Sequence, residues 1–207
     1  MTNREGRLGR RRLLGLLGAG ATVGAAGCLD GDGTDGDGDE QPDDGDDDER
    51  EVITLEHPGD EPILFTDSQN CQVCNMTPTH YSDWQSQLAH EGGEGVVFCT
   101  PGCLGAYYVS PTDHNGPDSD IVGVWTTDYE TGDLIDATEA SFVIVTDDTT
   151  VDDPMGLNPR PFADHEAAVS FAESWDPEDL TEDDIVDLEE IDYDIATIYR
   201  GNRMPVE

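Results

Sequence analysis

The chain has 207 residues, with 9 Lys+Arg against 48 Asp+Glu, a formal net charge of −39, and 5 cysteines. No lysine occurs, and Arg4, Arg7, Arg10, Arg11 and Arg12 crowd the N-terminus, leaving only Arg50, Arg160, Arg200 and Arg203. Phosphate neutralisation needs a patch of cations, so a nucleic-acid binder working through a basic face is excluded. Such acidity on a chain that keeps its Val, Ile, Leu and aromatic residues reads as a halophile's surface, built for salt that screens self-repulsion, and carries no functional weight.

Arg10, Arg11 and Arg12 open a twin-arginine start, followed by an apolar run of 15 residues, 13–27, ending Ala25-Ala26-Gly27-Cys28. That is short for a membrane helix of ~20 residues and suits a signal-peptide core. The Ala-Ala-Gly-Cys ending resembles a lipobox, which implies cleavage after residue 27 and a lipid on Cys28. Residues 28–50 then form a tether of Asp, Gly, Glu and Pro that buries too little to offset chain entropy and is expected to stay disordered. The folded part is expected over 51–207, in halves of about 51–118 and 119–207.

In chain order, residues 52–55 and 63–65 are strand candidates, the second leading into a turn that carries Cys71 and Cys74. Residues 96–98 read as a strand delivering Cys99, and Pro101-Gly102 opens a short helix bearing Cys103. Residues 121–127 and 141–145 are β-prone and flank the turn signal Glu130-Thr131-Gly132-Asp133, which predicts that they pair as a hairpin. Asp164 is a predicted N-cap for a helix reaching Trp175, with Ala167, Ala168, Phe171 and Ala172 on one face. A strand over 184–188 and a helix over 192–199 complete an α+β fold: two small strand-plus-helix halves with antiparallel sheets.

The chemistry lies in the cysteines. Cys71-x2-Cys74 and Cys99-x3-Cys103, separated by 24 residues, let a tight turn present two sulfurs while a strand end and a helix start present two more, a pocket for a soft ion. Spacing alone leaves four readings open: a structural zinc site, copper(I) handling, two disulfides outside the cytoplasm, and a Cys-x-x-Cys redox pair. Met76, two residues beyond Cys74, favours copper(I), since zinc does not use thioethers. Met155 sits in a loop without helical or strand period, either as a ligand or as packing. His80 is a weaker candidate imidazole, and His57, His90, His114 and His165 carry no spacing argument. Trp84, Trp125, Tyr107, Tyr108, Phe142 and Phe162 are assigned to cores. No nucleophile elbow, phosphate loop or distinct carboxylate pair appears, so a binding protein is expected and an enzyme is not.

Asn70-Cys71-Gln72-Val73-Cys74-Asn75-Met76, followed by Tyr81-Ser82-Asp83-Trp84-Gln85, resembles the nitrous oxide reductase accessory protein family, NosL, with its Cys-x-x-Cys-Gly-Met signature and Tyr-x-x-Trp-x-Gln-like stretch. The likeness continues at Val97-Phe98-Cys99, Tyr107-Tyr108, Ala140-Ser141-Phe142-Val143, Pro154-Met155-Gly156 and Pro161-Phe162-Ala163-Asp164, spanning about residues 68–190. It implies a lipid-anchored, extracytoplasmic copper(I) chaperone, monomeric, supplying the copper-sulfide centre of nitrous oxide reductase together with its assembly machinery. Carried over by position, Cys71, Cys74, Met76 and Met155 become the copper donors. Asn75 replaces the family's usual Gly, which a left-handed turn tolerates. The second pair, Cys99 and Cys103, is similar to heavy-metal trafficking modules of the TRASH and YHS type. That likeness implies a treble-clef-like first half, in which the four cysteines hold zinc as a structural alternative to copper.

Overall fold

The structure, a computed structural model, describes residues 54–149 and 151–205; the twin-arginine segment, Cys28 and the acidic tether lie outside them. Along the chain run β1 (Leu55–Glu56), β2 (Ser86–His90), β3 (Glu94–Phe98), α1 (Pro101–Val109), β4 (Ile121–Thr127), β5 (Leu134–Asp136), β6 (Ser141–Val143), β7 (Arg160–Phe162), α2 (His165–Ser174), β8 (Ile185–Asp187) and α3 (Tyr193–Arg200). Two antiparallel sheets result, one in the order β1-β3-β2-β4-β5 and one in the order β7-β6-β8. The α+β class with two antiparallel sheets therefore holds. The first sheet takes strands from both sides of residue 118, so the two halves interlock.

At the centre of that sheet is β2, buried along its whole length although it reads Ser-Gln-Leu-Ala-His. Each polar group has a partner, which is what permits burial. Ser86 Oγ meets Thr126 Oγ1 at 2.9 Å. Gln87 Oε1 accepts from Ile63 N at 2.7 Å and its Nε2 donates to Ile63 O at 3.0 Å. His90 Nδ1 donates to Ser119 O at 3.2 Å, leaving Nε2 to accept from the Tyr107 hydroxyl at 2.9 Å. The expected strand at 63–65 is not formed. The Gln87 side chain takes over the bonding of Ile63 that a neighbouring strand would have made, and Leu64 points to solvent, 88% exposed.

The expected hairpin is also corrected. Strand β4 does pass through the turn at 128–133, but it then pairs with β5, while β6 crosses to the second sheet between β7 and β8. Asp128 shapes this junction: its Oδ1 accepts from Glu130 N and Thr131 N at 3.0 and 2.7 Å, and its Oδ2 accepts from Ala163 N at 2.7 Å. Burial alone would raise its pKa, but these bonds to the carboxylate outweigh it and hold it below the usual range.

The three helices start on side-chain caps, with Thr100, Asp164 and Asp192 accepting from Cys103 N, Ala167 N and Ile195 N respectively. Helix α1 packs against α3 and α2 covers β6 and β7. Phe98, Leu88, Leu104 and Phe142, all fully buried, each contribute about 1.5–3 kcal/mol of burial. The largest fully enclosed side chains are nevertheless two arginines, Arg160 and Arg200.

Candidate metal centre

The site begins with a knuckle before β2. Cys71 N donates to Met76 O and Asn75 N donates to Cys71 O, both at 2.8 Å, closing a turn that points two sulfurs inward. A parallel bridge between Cys71 and Val97 pins this turn to β3. Asn75 sits at φ 63°, in the left-handed region, so the Asn-for-Gly departure is tolerated as the sequence predicts. Asn75→Val is expected to cost about 1–2 kcal/mol, whereas Asn75→Gly should be neutral or better. Thermal unfolding of the two variants measures the difference.

The chain leaves β3 at Cys99 and enters α1 at Pro101, whose ring fixes the first helical residue, so that Cys103 falls in the first turn. The four sulfurs of Cys71, Cys74, Cys99 and Cys103 lie within 4.8 Å of one another. Cys74 Sγ is 3.2 Å from Cys99 Sγ, which is 3.8 Å from Cys103 Sγ. These are free thiols, too far apart for the ~2.05 Å of a disulfide. A tetrahedron with metal–sulfur bonds of ~2.3 Å has edges of about 3.8 Å, close to this spacing. Every donor is a soft sulfur, which fits copper(I) or zinc.

Electrostatics divides the four. The Cys103 thiol is held well below the ordinary range, first by bonds from Cys71, Cys74 and Cys99, then by the charge of Arg200, against the effect of its burial. Burial above all pushes Cys71 well up.

Beyond the knuckle, Met76 is half-buried and its Sδ accepts from the Tyr81 hydroxyl at 3.7 Å. Met155, at φ 63° and followed by Gly156 at φ 89°, packs half-buried against the core in the loop before β7. His80 is exposed and no histidine joins the sulfur cluster among the described residues.

Sequence reasoning missed three residues around Cys103. Arg200, on α3, donates from Nε to Cys103 Sγ at 3.1 Å, from Nη1 to Leu157 O at 3.0 Å, and from Nη2 to Thr100 Oγ1 and Asn158 Oδ1, each at 2.6 Å. Asn158 in turn donates to Pro154 O at 2.9 Å, so one guanidinium ties the cysteine cluster to the Met155 loop. Gly102 makes room for it: a Cβ there would meet Asn158 Oδ1 at 2.8 Å and Arg200 Nη2 at 3.0 Å. The available signal was scarcity, since a chain with so few cations keeps each for a reason.

A cleft of about 700 Å³ opens on the knuckle, with Cys71 and Cys74 on its wall beside Gln69, Asn70, Gln72 and Arg203. Among the described residues its lining holds no carboxylate, on a chain with 48 Asp and Glu. All four cysteines are buried, Cys74 at 9% exposure, Cys71 at 2%, and Cys99 and Cys103 at 0%.

The NosL family model matches residues 62–188, more than half of the chain. The chain belongs to the NosL family. Two chains of solved structures match as well, among them the copper chaperone NosL from Shewanella denitrificans, with 16% identity and a TM-score of 0.49, covering 65% of this chain and 97% of that one. A comparison with curated proteins gave no match. Membership of NosL and the four-cysteine centre together make this a metal-handling member of the family.

Proposed function

We propose that this NosL protein is an extracytoplasmic copper(I) chaperone, a carrier and not an enzyme. It is anchored to the membrane by a lipid on Cys28 after twin-arginine export, and it supplies copper to the assembly of nitrous oxide reductase. The observation that carries this reading is the cluster itself: four soft donors within 4.8 Å, two of them on the wall of an open cleft. Copper is the cargo, and soft thiolates hold it in low coordination. Cys74 takes the exchange role, because at 9% exposure it is the least enclosed of the four and lines the cleft, with Cys71 beside it buried at 2%. Cys99 and Cys103, fully buried, retain the ion until a partner's donors replace the other pair stepwise. Met76 and Met155 supply thioethers from the knuckle and from the second half. Family membership supports the nitrous oxide reductase assignment, and the Ala-Ala-Gly-Cys ending supports the anchor.

A second reading has its own support: sulfur spacing near a tetrahedral edge also suits a structural zinc, which would make the region a staple for an interaction domain. Copper-edge X-ray absorption on the full chain, loaded anaerobically in molar KCl, separates the two. Low-coordinate copper with sulfur neighbours supports the carrier. A retained four-thiolate zinc that copper cannot displace overturns it in favour of the staple.

A further inference from the structure

Arg200 is 1% exposed and fully engaged. A guanidinium has five N–H groups, and all five meet acceptors: the Cys103 sulfur, Leu157 O, Tyr199 O, Thr100 Oγ1 and Asn158 Oδ1. Four of these are neutral. Among the described residues no carboxylate pairs with Arg200, although Asp and Glu number 48 in the chain and the other enclosed arginine, Arg160, has its Asp153. A buried charge persists where something compensates it, and the Cys103 sulfur, 3.1 Å from Nε, is the one acceptor of the five that can carry a negative charge.

We infer that Arg200 is a positioning residue that sets the charge of the four-sulfur centre and thereby biases it toward a monovalent ion. Two thiolates and one copper(I) sum to a single negative charge, which one guanidinium cancels. Four thiolates around zinc leave two negative charges, of which Arg200 cancels only one. The positive potential it imposes on the cluster also opposes a divalent ion twice as strongly as a monovalent one, because Coulomb energy scales with the charge of the ion. Its fixed fork aims Nε at Cys103 while the other nitrogens hold Thr100 at the start of α1 and the loop that carries Met155. The inference deepens the carrier reading and rests on it.

The test is a pair of affinities measured on the full chain in molar KCl, copper(I) by competition with bicinchoninate under anaerobic conditions and zinc by competition with a chromophoric chelator. Arg200→Gln is expected to lower the ratio of copper(I) to zinc affinity about tenfold, in the range of changes around a metal's outer shell. Arg200→Lys keeps the charge and should restore most of the ratio, which a purely structural role does not predict. Asn158→Asp adds a carboxylate against Nη2 without removing the arginine, and should shift the ratio in the same direction as Arg200→Gln. It decides the matter if circular dichroism shows that the glutamine variant does not fold. An unchanged ratio in a folded Asn158→Asp variant, or in a folded Arg200→Gln variant, overturns the inference while leaving the carrier reading intact. Wild-type protein that binds no copper(I) at all overturns the carrier reading instead, and the inference with it.

Discussion

The combined substitution Cys71→Ser and Cys74→Ser is expected to weaken copper(I) binding by roughly 100-fold or more, beyond what outer-shell changes achieve, while the fold survives. The argument is geometric. These two cysteines sit on a turn that is held by backbone bonds, Cys71 N to Met76 O and Asn75 N to Cys71 O, and by the bridge to Val97; neither sulfur is needed for those contacts. Their removal takes away two of the four sulfurs of the cluster, including Cys74, the least enclosed, and leaves only the buried Cys99 and Cys103. Anaerobic competition against a copper(I) chelator measures the loss, and circular dichroism checks the fold. A structural zinc gives the opposite pattern, because a staple's binding energy is folding energy, on the order of 10 kcal/mol. Unfolding of the double variant, or of the wild type on treatment with chelator, would assign the cluster to the staple.

The local pattern of the chain was legible where one residue type has one job. Asp164 as an N-cap, the strand ending at Phe98, the helix after Pro101, the turn at 130–133 and the four-cysteine cluster all follow from backbone chemistry or ligand chemistry. Strand β2 was not legible, because Ser86, Gln87 and His90 read as polar surface until their partners Thr126, Ile63 and Tyr107 are known. Nor was the pairing of β6: period and propensity identify a strand but leave its neighbours open, and both β5 and β7 follow a plausible connection. Arg200 was hidden for a related reason. It is 97 residues from Cys103, and nothing in the local pattern of 193–200 distinguishes an inward arginine from the cation that commonly ends a helix.

Replacing the other enclosed arginine, Arg160→Ala, should produce the largest loss of stability, about 3–5 kcal/mol, because it leaves a buried carboxylate without its cation. Arg160 grips Asp153 with Nη1 and Nη2 at 2.6 and 3.2 Å, and donates from Nη1 to Asn158 O at 2.9 Å. Its guanidinium carbon lies over Trp84, Tyr129 and Trp175 at 5.1, 4.9 and 5.7 Å, attractions that strengthen when water is excluded. A surface ion pair would be silenced in molar salt, where the Debye length falls to about 3 Å, but a buried pair is screened far less. The loss should therefore persist when urea unfolding is followed in molar KCl. Arg160→Met combined with Asp153→Asn should recover much of it, since removing both charges leaves none stranded. Tryptophan emission offers a local readout, because Trp84 and Trp175 flank the same cation. Should Arg160→Ala unfold at the wild-type midpoint with unchanged emission, the cage contributes nothing, and the Met155 loop between Asp153 and Arg160 must be held by Asn158 and Arg200 alone.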